Sequence, residues 1–239
     1  MKPLETDYYE RWSDPDLVEK FASKNVDEFF RTEIWALDKT AGDFDSVLDI
    51  GCASGRMLEL LKEYSDNLSY TGVDISADNI ERGKALYPGS EFVLGNALDF
   101  QPQQTFSLVN ATGVCQHEPD FESLVQHMVD LSHRFVMFDF KLAALEDHLI
   151  DRDRSYCQFG EHRLYYVLLA LPRFLTFMSK LSGVSRVAVW GYDTNKSQRS
   201  TVPDGIERLV SAGVFIEKGD APCELIVDLP EWIQATAES

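Results

Sequence analysis

Apolar residues along this chain fall into two rhythms. Short, mostly apolar runs appear at Val47-Leu48-Asp49-Ile50, Tyr70-Thr71-Gly72-Val73, Glu91-Phe92-Val93-Leu94, Phe106 to Ala111 and Arg134 to Phe140. Such runs are what strands covered on both faces require. Between them the spacing turns helical: Met57, Leu58, Leu60 and Leu61 after the first run, Ala77 to about Leu86 after the second, and Phe121 to Leu131 after the fourth. Ser76 is placed to cap the second of these helices and Pro88-Gly89 to stop it. Five strands alternating with helices predict an α/β fold with a parallel, doubly wound sheet.

The two ends of the chain are less regular. A helix is expected from about Asp16 to Asp38, with Leu17, Val18, Phe21, Phe29, Phe30, Ile34 and Leu37 in one stripe and Gly42 as the break. Residues 142–163 carry no clean period. Leu164 to Leu169 reads equally as a short strand or a helical turn. Pro172 suits the first position of a helix running to Leu181, which Gly183 ends. Arg186 to Tyr192 is a strand. Val214 to Glu217 and Glu224 to Asp228 are two more, and the turn Lys218-Gly219-Asp220-Ala221-Pro222 predicts that they pair as an antiparallel hairpin.

Composition narrows the class. The chain has 239 residues, 44% of them hydrophobic, enough for one large domain with its own core. No repeat or linker divides it, so 1–239 is expected to be a single domain. Forty acids against 22 Lys and Arg give a net charge of −18, which argues against nucleic-acid partners, whose binding rests on basic patches. The most apolar stretch, Leu164 to Leu181, is broken by Pro172 and Arg173 and falls short of the ~20 residues of a membrane span. Cys52, Cys115, Cys157 and Cys223 are widely spaced, as reduced thiols of a cytoplasmic protein would be. Met1 to Asp7 lacks the apolar core of a signal peptide. Cys115 and His117 fall short of the full ligand set of a metal site, so no metal is expected.

The chemistry gathers at Asp49-Ile50-Gly51-Cys52-Ala53-Ser54-Gly55. Gly51 and Gly55 bracket a turn between the first strand and its helix, where a missing side chain admits close backbone approach. A dinucleotide site would want G-x-G-x-x-G to hold a pyrophosphate. The spacing here is G-x-x-x-G, and Asp49 would repel a pyrophosphate while suiting a ligand that brings a positive charge, such as an ammonium. Asp74 ends the second strand, about the ~20 residues past the glycine turn expected of an acid that holds ribose hydroxyls. An ordinary aspartate of a strand–helix turn is the alternative.

The pattern Asp49-x-Gly51-x-x-x-Gly55 resembles the first motif of the class I S-adenosylmethionine-dependent methyltransferases of the small-molecule type, and the resemblance covers about Ser46 to Lys141. It implies a mostly parallel, seven-stranded Rossmann-like sheet with an antiparallel late edge strand, and S-adenosyl-L-methionine as cofactor. Carried over residue by residue, it puts Asp49, Gly51, Cys52, Ala53 and Gly55 at the methionine end. Asp74 and Ile75 then flank the ribose. Gly95-Asn96-Ala97 stands where the family commonly has Gly-Asp-Ala, which puts Asn96 and Ala97 at the adenine; an amide can still accept from the exocyclic amine. Thr112 opens the loop after the fourth strand.

In that loop the family often has Glu-His before Pro-Asp, and this chain has Gln116-His117-Glu118-Pro119-Asp120. An imidazole titrates near ~6.5, which makes His117 the candidate general base; a histidine that caps the next helix is the competing reading. The resemblance also makes residues 1–42 a helical lid, with Tyr8, Tyr9 and Trp12 as its substrate-facing aromatics, although aromatics there can equally cover the sheet. Residues 142–182 become an insertion that selects the acceptor. Lys141, Arg152, Arg154 and Arg163 are its candidate contacts to an anionic group, a plain solvated loop being the alternative.

The resulting expectation is methyl transfer to a small-molecule acceptor, with a hydroxyl favoured. N-methylation, a non-catalytic cofactor-binding or partner subunit, and an NAD-dependent dehydrogenase are the alternatives. No nucleic-acid or membrane partner is expected, and the oligomeric state is left open, a homodimer included.

Overall fold

A computed structural model describes residues 10–14 and 29–237 of the chain. Tyr8, Tyr9 and most of the expected helix 16–38 lie outside these residues. What is described there is a short 3-10 turn at Glu10–Ser13 and helix α1, Arg31–Thr40. The alternating strands and helices follow: β1 (Ser46–Ile50), α2 (Met57–Leu61), β2 (Ser69–Asp74), α3 (Ala77–Leu86), β3 (Glu91–Leu94), β4 (Phe106–Ala111), α4 (Phe121–Leu131) and β5 (Ser132–Ala143). Helices α3 and α4 have the expected bounds. Ser76 caps α3 through its hydroxyl, which accepts from the Asn79 amide.

The main sheet has nine strands, not the seven expected. Its order is β12 (Glu224–Asp228), β9 (Val184–Thr194), β11 (Leu209–Lys218), β5, β4, β1, β2, β3, with β8 (Leu168–Ala170) paired alongside the extended end of β5. β1 lies between β2 and β4, parallel to both, so the direction of winding reverses there. Such a switch opens a crevice at the carboxyl ends of the strands, where ligands of open α/β sheets bind.

The late strands correct one expectation. β11 (Leu209–Lys218) and β12 (Glu224–Asp228) do not form a hairpin. β9 (Val184–Thr194) sits between them, antiparallel to β11 and parallel to β12. The reversed strand is therefore internal: β11 also runs antiparallel to β5. The turn 218–222 was legible, but which strand fills the neighbouring slot is a long-range choice. The helix expected to reach Leu181 is α5, Leu171–Met178. The aperiodic stretch holds β6 (Tyr156–Phe159) and β7 (His162–Tyr165), which join β10 (Ser200–Thr201) in a separate three-stranded antiparallel sheet.

Burial explains the apolar runs. In β1, Val47 packs into one core cluster with Leu37, Leu58, Leu61 and Ile80, while Leu48 faces a second with Leu124, Val125, Met128 and Phe174. Leu108 and Val109 of β4, and Met137 and Phe138 of β5, divide the same way. Successive strand residues point to opposite faces, and helices cover both. Among the described residues no helix is long and apolar enough to cross a membrane.

Candidate functional site

A cavity of about 480 Å³ lies over the carboxyl ends of β1, β2, β4 and β5. One half is built from the β1 and β2 turns. Gly51 and Ala53 both take the left-handed conformation, with φ of 67° and 47°. A Cβ on Gly51 would stand 2.4 Å from Val114 Cγ2, so the turn closes against the loop after β4 only without a side chain. The Val73 carbonyl accepts from the Gly51 and Cys52 amides, at 2.8 and 3.2 Å, and ties the turn to β2.

Asp74 locks the same turn from its other side. Its carboxylate accepts from the Ala53 amide at 2.9 Å and the Ser76 amide at 2.8 Å. Burial raises its pKa, and these amides oppose the shift. A carboxylate offers about four lone pairs, so acceptor capacity remains for a ligand's hydroxyls.

Asp49 is not an open charge at the cavity floor. It is 2% exposed, and its two oxygens accept from Tyr70 Oη at 2.6 Å and Asn110 Nδ2 at 2.7 Å. Burial pushes its pKa up to about 6, against the pull of both donors. Asn110 also accepts from the Thr112 amide at 3.2 Å and so holds the loop after β4 to the β1 turn. Burial likewise raises the thiols of Cys52 and Cys115 well above their ordinary range.

Ile75, Asn96 and Ala97 line the cavity beside Asp74, as does Asn79 from the first turn of α3. Asn96 Oδ1 caps the following 3-10 turn by accepting from the Leu98 amide at 3.0 Å. Asn79 Oδ1 is buried and accepts no hydrogen bond among the described residues. Gly55 stands apart from the lining residues. Its φ is 88°, and a Cβ there would meet the Phe92 ring at 2.7 Å, so it serves packing.

The other half of the cavity centres on the loop after β4. His117 is 8% exposed, and its Nδ1 lies 2.6 Å from the Tyr165 carbonyl oxygen. A carbonyl only accepts, so Nδ1 carries a proton, and in the neutral ring Nε2 holds the lone pair. Trp12 meets the His117 ring edge-on at 5.3 Å. The 10–14 segment is held by His162 Nε2, which lies 3.2 Å from Asp14 Oδ2.

Lys141 lines this half and donates to Ser211 Oγ at 2.7 Å. Burial lowers its pKa, while Asp139, Cys157 and Glu33 pull it back up. Asp139 accepts from the Gly113 amide at 2.5 Å. Glu33 reaches in from α1: burial and then the charge of Asp139 push its pKa up to about 7, and Arg56 Nη2 lies 3.9 Å away.

The other predicted cations are elsewhere. Arg152 lies over the Tyr165 ring, Arg163 over the Tyr156 ring, and Arg154 is exposed; none of the three lines the cavity. Phe159, Tyr166, Thr194, Asn195 and Ser197 take those places instead. Among the described residues no group of three or more His, Cys, Asp or Glu could hold a metal ion.

Sequence reasoning missed Glu33, Asn110, Asn79 and Gln116 as cavity groups. Asn110 had a signal, since it interrupts the apolar run of β4. Glu33 had none: only tertiary packing turns that position of α1 inward.

Residues 48–134 match the model of a methyltransferase domain. The trans-aconitate 2-methyltransferase of Escherichia coli O157:H7 is 32% identical over 87 residues, 36% of this chain and 34% of that protein. That of Enterobacter sp. strain 638 is 29% identical over 89 residues, 37% of this chain and 35% of that protein. The match thus spans about a third of these relatives, 34% for the first.

Two solved structures share the fold at low identity. The N-terminal domain of EvdMO1, in the presence of SAH and D-fucose, superposes with a TM-score of 0.58 at 12% identity, covering 81% of this chain and 84% of that one. The magnesium protoporphyrin IX methyltransferase of Synechocystis PCC 6803, with bound SAM, gives 0.54 at 14% identity, covering 88% and 95%.

Proposed function

We propose that this chain, whose residues 48–134 match the model of a methyltransferase domain, transfers a methyl group from S-adenosylmethionine to a hydroxyl of a small molecule. The observation that carries the hydroxyl reading is the 2.6 Å contact of His117 Nδ1 with the Tyr165 carbonyl. It presents Nε2 as an acceptor in a cavity, which is what removing a hydroxyl proton needs.

The residues present fit the cofactor. Gly51 leaves room for close backbone approach, and Asp49 lines the cavity beneath the turn, with its oxygens held by Tyr70 and Asn110. Asp74 has acceptor capacity for ribose hydroxyls. Asn79 Oδ1 is a buried acceptor that a donor of the adenosine end would satisfy. Cys52, Ala53, Ile75, Asn96, Ala97 and Thr112 complete the cradle.

When bound, S-adenosylmethionine supplies a methyl group on a sulfonium that departs with its electron pair. The chain's own part is to hold the acceptor oxygen in line, to take its proton on His117 Nε2 and to exclude water. Trp12 against His117 supports reading the N-terminal segment 1–42 as a lid. Phe159 and Tyr166 in the cavity support residues 142–182 as the acceptor-selecting insertion. Lys141 would donate to a polar group of the acceptor. An anionic group there would also meet Asp139 and Glu33, which favours a neutral acceptor.

The test is transfer from methyl-labelled S-adenosylmethionine into a metabolite extract by the full chain. Label in a hydroxyl-derived ether is expected, and His117→Ala should lower kcat by about 100-fold or more while cofactor binding persists. Cofactor binding without transfer would favour a partner subunit. Calorimetric binding of NAD but not S-adenosylmethionine would overturn the proposal.

A further inference from the structure

The loop that carries His117 holds a second acceptor that the methyl-transfer step does not use. Gln116 precedes it on the same 3-10 turn, Cys115–His117, and both residues line the cavity. The Gln116 side-chain oxygen, Oε1, is buried and accepts no hydrogen bond among the described residues. Its main chain is fixed: the Gln116 carbonyl accepts from the Val167 amide at 2.8 Å. Two residues before Val167, the Tyr165 carbonyl accepts from His117 Nδ1 at 2.6 Å. Residues 165–167 therefore hold the Gln116 main chain and the His117 ring.

A buried acceptor left without a donor is costly, so whatever fills this end of the cavity should bring one. The cofactor's donors are read at the β1 and β2 turns; Gln116 lies past Val114, on the 3-10 turn that carries His117. The donor for Gln116 then comes from the acceptor molecule, beside the hydroxyl that faces His117.

The rest of this half points the same way. Glu33, Glu118 and Asp139 are acceptors when ionised, and all three line it. Lys141 is their local counter-charge, not a surplus cation. The wall asks for polar hydrogens rather than for an anion.

We infer that the acceptor is a vicinal diol, with the reacting hydroxyl on His117 Nε2 and its neighbour donating to Gln116 Oε1. The inference rests on the hydroxyl-transfer reading above and names its substrate class. In the step, the reacting oxygen forms the bond to the methyl carbon, the carbon–sulfur bond breaks with its electron pair on sulfur, and the hydroxyl proton passes to His117. The second hydroxyl keeps its proton and fixes which oxygen reacts. Gln116 is thus a specificity-determining residue.

The experiment compares matched acceptors on the full chain with labelled S-adenosylmethionine: catechol against phenol and resorcinol, and cis-1,2-cyclohexanediol against cyclohexanol. The expected result is a kcat/KM for the 1,2-diols about tenfold or more above their mono-hydroxy partners, the loss that one unsatisfied buried acceptor produces. In Gln116→Leu that ratio should collapse toward one. Gln116→Glu keeps an acceptor oxygen and should keep the preference, which guards against a mere folding defect in the leucine variant.

Equal kcat/KM for diol and mono-hydroxy acceptors overturns the inference, as does a diol preference that survives in Gln116→Leu. Cofactor binding with no transfer to any diol does so too. Failure to bind S-adenosylmethionine in calorimetry would instead remove the methyl-transfer reading beneath it.

Discussion

Tyr70 Oη donates to Asp49 Oδ2 at 2.6 Å across the β1–β2 pair, inside the core and directly under the glycine turn. Asp49 pairs with Gly72 in the strand register, and Tyr70 with Val47. The tyrosine therefore reaches along its strand to hold a carboxylate that burial disfavours. Tyr70→Phe should cost roughly 1–3 kcal/mol of stability, as expected when a buried acceptor loses its donor. Denaturant unfolding reads the stability. Cofactor titrations should weaken in parallel, and unchanged values in both would show that the contact carries nothing.

Glu33 makes stability fall as pH rises. Its folded pKa, about 7, lies above its ordinary 4.5, so the folded state holds the proton more tightly than the unfolded chain does. Between these values the native state binds more protons, and unfolding free energy declines with pH. The full shift is worth roughly 3 kcal/mol by the usual conversion of pKa into free energy. Glu33→Gln keeps an oxygen for the Phe30 amide but does not ionise. It should flatten the slope between about pH 4.5 and pH 7 and be more stable than the parent at pH 8. Urea midpoints across that range decide, and an unchanged slope would count against it.

Gly51 and Val114 are a testable pair. A Cβ at position 51 would stand 2.4 Å from Val114 Cγ2, on a backbone with φ of 67°. Gly51→Ala should lose about 1–3 kcal/mol through strain and clash, and cofactor affinity with it. Val114→Ala in the same chain should restore part of the stability, because it removes the clash but not the strain. A double-mutant cycle with no coupling would refute the contact.

Asp74 orders the turn and, by our proposal, holds the ribose. Asp74→Ala removes the acceptor of the Ala53 and Ser76 amides. We expect binding of S-adenosylhomocysteine to weaken by about tenfold or more, equivalent to ~1.4 kcal/mol. Asp74→Asn keeps one acceptor oxygen and should fall between. Calorimetry would show whether the order holds.

Much of this was legible in the chain. The strand run 47–50, the turn from Asp49 to Gly55, and the bounds of α3 and α4 are local features, set by burial period, glycine placement and capping. Lys141, read from charge with the arginines, lines the cavity because β5 carries it there. Arg152 and Arg154 were read from charge alone, and charge does not say where an irregular segment points. The hairpin expected at 214–228 failed because a turn specifies that the chain reverses, not which strand fills the gap.

The sequence by itself therefore determined the alternation of strands and helices and the glycine turn at Gly51, since both follow from neighbours within a few residues. Tertiary structure decided the rest. It placed β9 between β11 and β12, turned Glu33 inward, closed Tyr70 and Asn110 onto Asp49, oriented His117 through the carbonyl of Tyr165 and fixed the Gln116 main chain through the amide of Val167. Each of these joins residues far apart in the chain. No local period encodes such pairings; they are fixed only when buried polar groups must find partners in a packed core.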